Sequence, residues 1–272
     1  MKAAGKGKQH PLLAFHSALL ILFIYVPVLM IIIYSFNDSR INSNWSGFTL
    51  KWYGSLFDNR QVMEALGNSL SIAVISTVVS TIFGTMAALA LRRMASRKKQ
   101  GVVGLLYLPI IVPDIIMGLS LLVLFSQFQI PLGKLTVIIA HITFSISYVY
   151  VIVSSRLANM GKQLEEAASD LGASPWQTFR FVTLPSIWPG VLAGAIMAFT
   201  LSIDDFMISF FVAGPNSTTL PIYIYGLVKR GISPEINALC TLMIIVSVAL
   251  IVLAQWLLNR GNGNERSSML PF

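Results

Sequence analysis

The stretch Leu135-Thr-Val-Ile-Ile-Ala-His-Ile-Thr-Phe-Ser-Ile-Ser-Tyr-Val-Tyr-Val-Ile-Val-Ser-Ser155 runs from Lys134 to Arg156 without one charged side chain. As a helix it would be about 30 Å long, the thickness of a bilayer's hydrocarbon core. Working outward, uncharged stretches recur at 9–37, 65–91, 115–133, 181–203 and 236–259. A soluble domain carries roughly 25% charged residues. This chain of 272 residues carries 11%, with 55% apolar residues and a mean hydropathy of +0.74. A globule in water cannot hide that much apolar surface, and a disordered chain is excluded. Short alternating strands are absent, which argues against an outer-membrane barrel. The expected class is all-α: a polytopic membrane bundle of six helices forming a single transmembrane domain over residues 1–272.

The six spans are placed at 13–36, 68–91, 103–127, 135–155, 187–212 and 236–258. The formal charge of +8 sits in the gaps between them, which reads as a topology signal rather than a nucleic-acid surface. With the N-terminus inside, the inner segments hold 13 Lys and Arg residues: Lys2, Lys6, Lys8, Arg92, Arg93, Arg97, Lys98, Lys99, Arg156, Lys162, Arg180, Arg260 and Arg266. The outer segments hold 6: Arg40, Lys51, Arg60, Lys134, Lys229 and Arg230. The bias puts both termini in the cytoplasm. The first apolar run is longer than a signal-peptide core and lacks a cleavage site, so it reads as an uncleaved anchor. Cys240 is alone in the sequence and reads as a small core residue.

Span two carries small residues at Ser76, Ser80, Gly84 and Ala88, and span five at Gly190, Gly194, Ala198 and Ser202. Small residues every fourth position let another helix come close, either within the bundle or from a partner membrane subunit. By helical angle, Asp205 falls within the span-five stripe and Asp204 beside it.

Three aspartates interrupt the apolar pattern: Asp114 in Leu108-Pro-Ile-Ile-Val-Pro-Asp114, and the pair in Leu201-Ser-Ile-Asp-Asp-Phe206. An ionised carboxylate at a membrane centre costs about 2.5–3.5 kcal/mol or more, so such groups protonate, face water or meet a cation. A substrate path past Asp114, Asp204 and Asp205 would suit a cation entering from outside. Pro109 and Pro113 favour a kink near Asp114, and Gly118 adds flexibility. The structural alternatives are an N-cap-like bond at Asp114 and hydroxyl partners for Asp204 and Asp205. His141 reads as a satisfied core group. Outside, segment 37–67 offers Trp45, Trp52 and Tyr53 at the headgroup level, and segment 213–235 should form short helices or a re-entrant turn. Trp45, Tyr223 and Tyr225 are candidate outer-side aromatic contacts for an organic ammonium group.

The inner loop 156–186 reads Glu165-Glu-Ala-Ala-Ser-Asp-Leu-Gly172, then Ala-Ser-Pro-Trp-Gln-Thr-Phe-Arg-Phe-Val-Thr-Leu-Pro185. Residues 162–171 suit a short helix, Gly172 its left-handed cap, and Ser174-Pro175 the start of a second short helix. Ala167 and Ala168 keep one surface thin, and Glu166 offers a carboxylate to a basic partner.

This loop resembles the EAA signature of ABC-importer permeases, with Glu166, Ala167, Ala168, Gly172, Leu184 and Pro185 at the family spacing and Val182 in place of Ile. The resemblance implies that Glu166, Ala167, Ala168 and Gly172 couple the chain to a cytoplasmic ABC ATPase. Further segments look like the second permease subunit of spermidine/putrescine systems. They are Tyr25 to Asn37, Trp52-Tyr53, Pro113-Asp114, Phe199 to Asp205, Ser209-Phe, Gly214-Pro215 and Ser233 to Ala238. That likeness implies polyamine import across a bacterial inner membrane. It also implies a different permease partner, two ATPase copies and an extracytoplasmic polyamine-binding protein. No phosphate-binding Gly-x-x-x-x-Gly-Lys-Ser/Thr loop is present, so ATP and Mg would be used by the ATPase, and this chain is expected to bind no cofactor or metal and catalyse nothing. The alternatives are a related importer permease for another solute and, more remotely, an intramembrane aspartyl enzyme using Asp114 with Asp204 or Asp205.

Overall fold

Where the chain lacks charge it forms helices. The computed structural model describes residues 11–39, 44–94, 96–161, 163–231 and 234–261. Lys2, Lys6, Lys8, Arg40, Lys162, Ser233 and Arg266, used in the sequence reading, lie outside the described residues. The helices are α1 (Pro11–Tyr34), α2 (Lys51–Asp58), α3 (Arg60–Arg93), α4 (Ser96–Ile111), α5 (Asp114–Gln127) and α6 (Lys134–Asn159). They continue with α7 (Gln163–Asp170), α8 (Pro175–Thr178), α9 (Leu184–Asp204), α10 (Met207–Val212), α11 (Leu220–Arg230) and α12 (Pro234–Gly261). Among the described residues there are no strands, only an isolated bridge between Asn37 and Phe48. The chain is an all-α membrane bundle. Among the described residues five helices are long and apolar enough to cross a bilayer, or six crossings if the α4–α5 pair is counted as one.

Three expected spans differ in detail. Span two starts earlier, because α3 begins at Arg60 and its first turns carry an exposed Arg60–Glu64 pair. Span three is bent by 106° between α4 and α5. Pro113 lacks an N–H and pushes Val112 out of the helical region, so the helix restarts at Asp114. Span five is longer at its inner end and broken at its outer end. Ser174 and Gln177 form a capping box around Pro175, but that turn is no separate helix. It passes through a π-helical turn, Phe179–Thr183, into α9. The wider turn accommodates Pro185, which has no N–H to give to a regular ladder. At the other end α9 stops at Asp204, Asp205 is extended, and α10 follows. The helical-angle placement of Asp205 therefore does not hold.

The structure divides into two compact units, Met1–Asn59 with Gly226–Ile244 and Arg60–Tyr225 with Ile245–Phe272. In the second, α3, α6 and α9 share a core around Leu91, Val149, Val153 and Ile187. A second cluster joins Ile72, Phe125, Val137, Phe144, Ile208 and Val212, drawing α5 and α10 onto α3 and α6. Both small-residue stripes are used inside this unit. Ser76, Ser80, Gly84 and Ala88 are buried, as are Gly190, Gly194, Ala198 and Ser202. A Cβ on Gly84 would come within 2.7 Å of Val149 Cβ, so the glycine is what lets α3 meet α6. Gly118 is likewise a packing residue rather than a hinge, since its Cβ would lie 2.9 Å from the Phe211 ring.

In the first unit the outer loop after α1 is built around buried Asn37. Its Oδ1 accepts from the Ser39 and Ser46 amides, and its Nδ2 donates to the Asn44 carbonyl. Trp52 Nε1 donates to the Asn37 carbonyl at 2.8 Å, and the Tyr53 hydroxyl lies 2.6 Å from Ser35 Oγ. These two aromatics staple the loop rather than reaching for headgroups. Trp45 remains about half exposed, with its ring edge-on to Tyr34.

Candidate functional site

The inner loop forms a short helix because it has the residues to begin and end one. α7 carries Glu165 and Glu166 in its first turn, where carboxylates favour the helix N-terminus. It closes with a Schellman pattern: the Ala173 amide donates to the Ala168 carbonyl and the Gly172 amide to Ser169. Gly172 has φ +83°, which a side chain would strain.

The two glutamates face different ways. Glu166 and Ala167 are exposed, with Ala168 half-buried behind them. Glu165 turns back to the bundle. Its Oε1 accepts from Arg92 Nη1 at 2.9 Å and from the Thr183 hydroxyl at 2.8 Å. The surrounding surface is apolar: Leu164, Leu171, Trp176 and Phe181 are each more than half exposed. A cleft of about 810 Å³ runs beside α7, lined by Leu89, Arg92, Glu165, Trp176 and Phe179.

The aspartate pair divides in the same way. Asp205 is held: its carboxylate accepts from the Ser209 amide at 2.7 Å and the Ile208 amide at 3.3 Å, capping α10, and lies 3.2 Å from His141 Nε2. Its side chain is 8% exposed and that of His141 is 0% exposed. The histidine also contacts Ser202 Oγ at 2.6 Å and Ser209 Oγ at 3.0 Å, and Ser202 reaches Ser76 on α3. His141 is a satisfied core group that joins α6 to both sides of the break. Asp204 points elsewhere and is exposed, with the Ser247 hydroxyl donating at 3.0 Å. Next along the chain lies an aromatic group, in which Phe206 stands 4.8 Å and Phe210 6.0 Å from the Tyr225 ring.

Asp114 is the first residue of α5, exposed, and makes no hydrogen bond or ion pair among the described residues. The helix restarts at the aspartate itself, without a side-chain cap, so the N-cap alternative does not apply. Tyr223 is half-buried. Tyr225 joins the aromatic group beside the break, whereas Trp45 belongs to the other unit. Among the described residues no cluster of His, Cys, Asp and Glu is placed to hold a metal. Sequence reasoning gave Arg92 only a part in the topology signal and assigned no role to Glu165, Thr183 or Ser247. The one available signal was the Glu-Glu doublet at the start of a helix, because consecutive residues about 100° apart point in different directions.

The model of the family described as binding-protein-dependent transport system inner membrane component matches residues 80–261. The spermidine/putrescine transport system permease protein PotC of Shigella flexneri is 42% identical over 246 residues, covering 89% of this chain and 93% of the relative. The putrescine transport system permease protein PotI of Escherichia coli K12 is 43% identical over 243 residues, covering 87% and 86%. A crystal structure of a bacterial ABC transporter that imports alginate shares the fold, with a TM-score of 0.70 at 17% identity over 92% of this chain and 94% of that one.

Proposed function

The chain belongs to the family of binding-protein-dependent transport inner membrane components, and we propose that it is the polyamine-translocating permease subunit of an ABC importer. The observation that carries this reading is the identity above 40% with spermidine and putrescine permeases over nearly nine tenths of the chain. The site chemistry supports it. Polyamines are flexible polycations. Asp204 offers an exposed carboxylate, and two residues along the chain Phe206 packs with Phe210 and Tyr225, rings whose faces attract ammonium groups. Asp114 offers a second exposed carboxylate. No Lys or Arg occurs from Asp114 to Gln127 or from Leu184 to Asp204, so an anion path has nothing to use there.

In this reading the partners are a different permease subunit, two copies of a cytoplasmic ABC ATPase, and an extracytoplasmic binding protein that delivers the polyamine. α7 enters a cleft of the ATPase, with Glu166 meeting a basic side chain and Ala167 and Ala168 allowing close approach. ATP and Mg act in the ATPase, whose closure rocks the spans between outward and inward access. The chain itself binds no cofactor, and its place is the bacterial inner membrane.

The test is co-purification with ATPase and binding subunits, followed by ATPase measurement across a panel of polyamines. Putrescine or spermidine should stimulate hydrolysis while neutral and anionic solutes do not. Stimulation by an unrelated solute alone would overturn the substrate class.

A further inference from the structure

α7 has no buried residue. It therefore has little apolar anchorage of its own, and beyond it the chain turns at the left-handed Gly172, held by the two backbone bonds of the cap. A helix meant to pass force into a membrane bundle needs an attachment stiffer than that. The structure has one candidate, the Glu165 carboxylate.

One Glu165 oxygen takes two donors from two different elements. Arg92 comes from the inner end of α3, and Thr183 from the π-helical turn at the root of α9. The Arg92 and Glu165 side chains are 18% and 25% exposed, so the pair is partly shielded from water and from salt. Because both donors meet the same atom, α7 cannot move against one partner without straining its bond to the other. α3 and α9 are also the helices that share the core with α6, so a push at this oxygen enters the centre of the bundle.

We propose that the Arg92–Glu165–Thr183 clamp is the strut through which α7 drives the second and fifth spans, with Glu165 as its positioning residue. The proposal rests on the permease reading above and adds a division of labour within it: Glu166 engages the ATPase, and Glu165 makes that engagement move the bundle. Loss of the clamp therefore leaves docking intact and wastes hydrolysis.

The test uses the intact assembly in vesicles with spermidine-loaded binding protein, measuring labelled spermidine taken up per ATP hydrolysed. Glu165→Ala should lower that ratio by about fivefold or more while stimulated hydrolysis stays within about twofold of the parent. Glu165→Gln keeps an oxygen for both donors and should hold the ratio near the parental value. A parental ratio in Glu165→Ala, or an equal loss in Glu165→Gln, overturns the clamp. Should Glu165→Ala fail to assemble, the double variant Arg92→Met/Thr183→Val strips both donors and is read the same way. An assembly in which no polyamine stimulates hydrolysis contradicts the permease reading itself, whereas stimulated hydrolysis with an unmoved ratio contradicts the clamp alone.

Discussion

Two acidic doublets sit at opposite levels of the chain, Glu165-Glu166 in the inner loop and Asp204-Asp205 at the break in the fifth span. In each, one carboxylate is tied and its neighbour is left available, but the means differ. The glutamates stay on one helix and separate by the angle between consecutive residues. The aspartates separate because the helix ends between them, which turns Asp205 inward and leaves Asp204 exposed. The tied group also needs more partners in the span than at the surface. Glu165 has two side-chain donors, whereas Asp205 has two backbone amides and a fully buried histidine. Water is available to complete the first set. In the span, an incomplete set leaves an uncompensated charge in a poor solvent.

If that contrast is right, Asp205→Ala does the most damage. It uncaps α10 and leaves His141 without its carboxylate, at a cost of about 1–3 kcal/mol for each buried donor left unsatisfied. The solubilised protein should melt well below the parent, and Asp205→Asn, which keeps an acceptor, should fall less. Parental melting of Asp205→Ala would mean that Asp205 is not the tied member. Asp204→Asn should behave in the opposite way, with melting unchanged and polyamine uptake down about tenfold or more. Gly172→Ala strains the left-handed cap by about 1 kcal/mol. It should weaken co-purification of the ATPase without altering the membrane bundle. Ser247→Ala removes one hydroxyl from an exposed carboxylate and should change uptake by about twofold or less. A larger loss would make Ser247 part of the path rather than a resting partner.

How much of this was legible in the sequence depends on which forces set each feature. Charge-free runs are a solvent signal, so the spans and the loop helix could be read directly, down to the Gly172 cap and the Ser174-Pro175 start. Pro109 and Pro113 pointed to the bend before Asp114, though not to its size. The break at Asp205 was hidden, because Leu201 to Phe206 contains no Pro or Gly. It is held by His141 from α6 and by the local cap that Asp205 makes on the Ser209 amide of α10. The fusion of Pro175 to α9 was hidden because Ser174-Pro175 read as the start of a separate short helix, whereas the π-helical turn carries the chain past Pro185 into α9. The resemblance singled out Glu166, whereas the inward turn of Glu165 came to light only where Arg92 and Thr183 share one of its oxygens.

The most direct measurement is ATP-driven accumulation of labelled spermidine in vesicles holding the complete assembly, with Glu166→Lys and Asp204→Asn each set against the parent. Both variants should lose accumulation, Glu166→Lys together with stimulated hydrolysis and Asp204→Asn with hydrolysis retained. Accumulation at the parental rate in both would contradict the assignment of the two free carboxylates, one to the motor and one to the cargo.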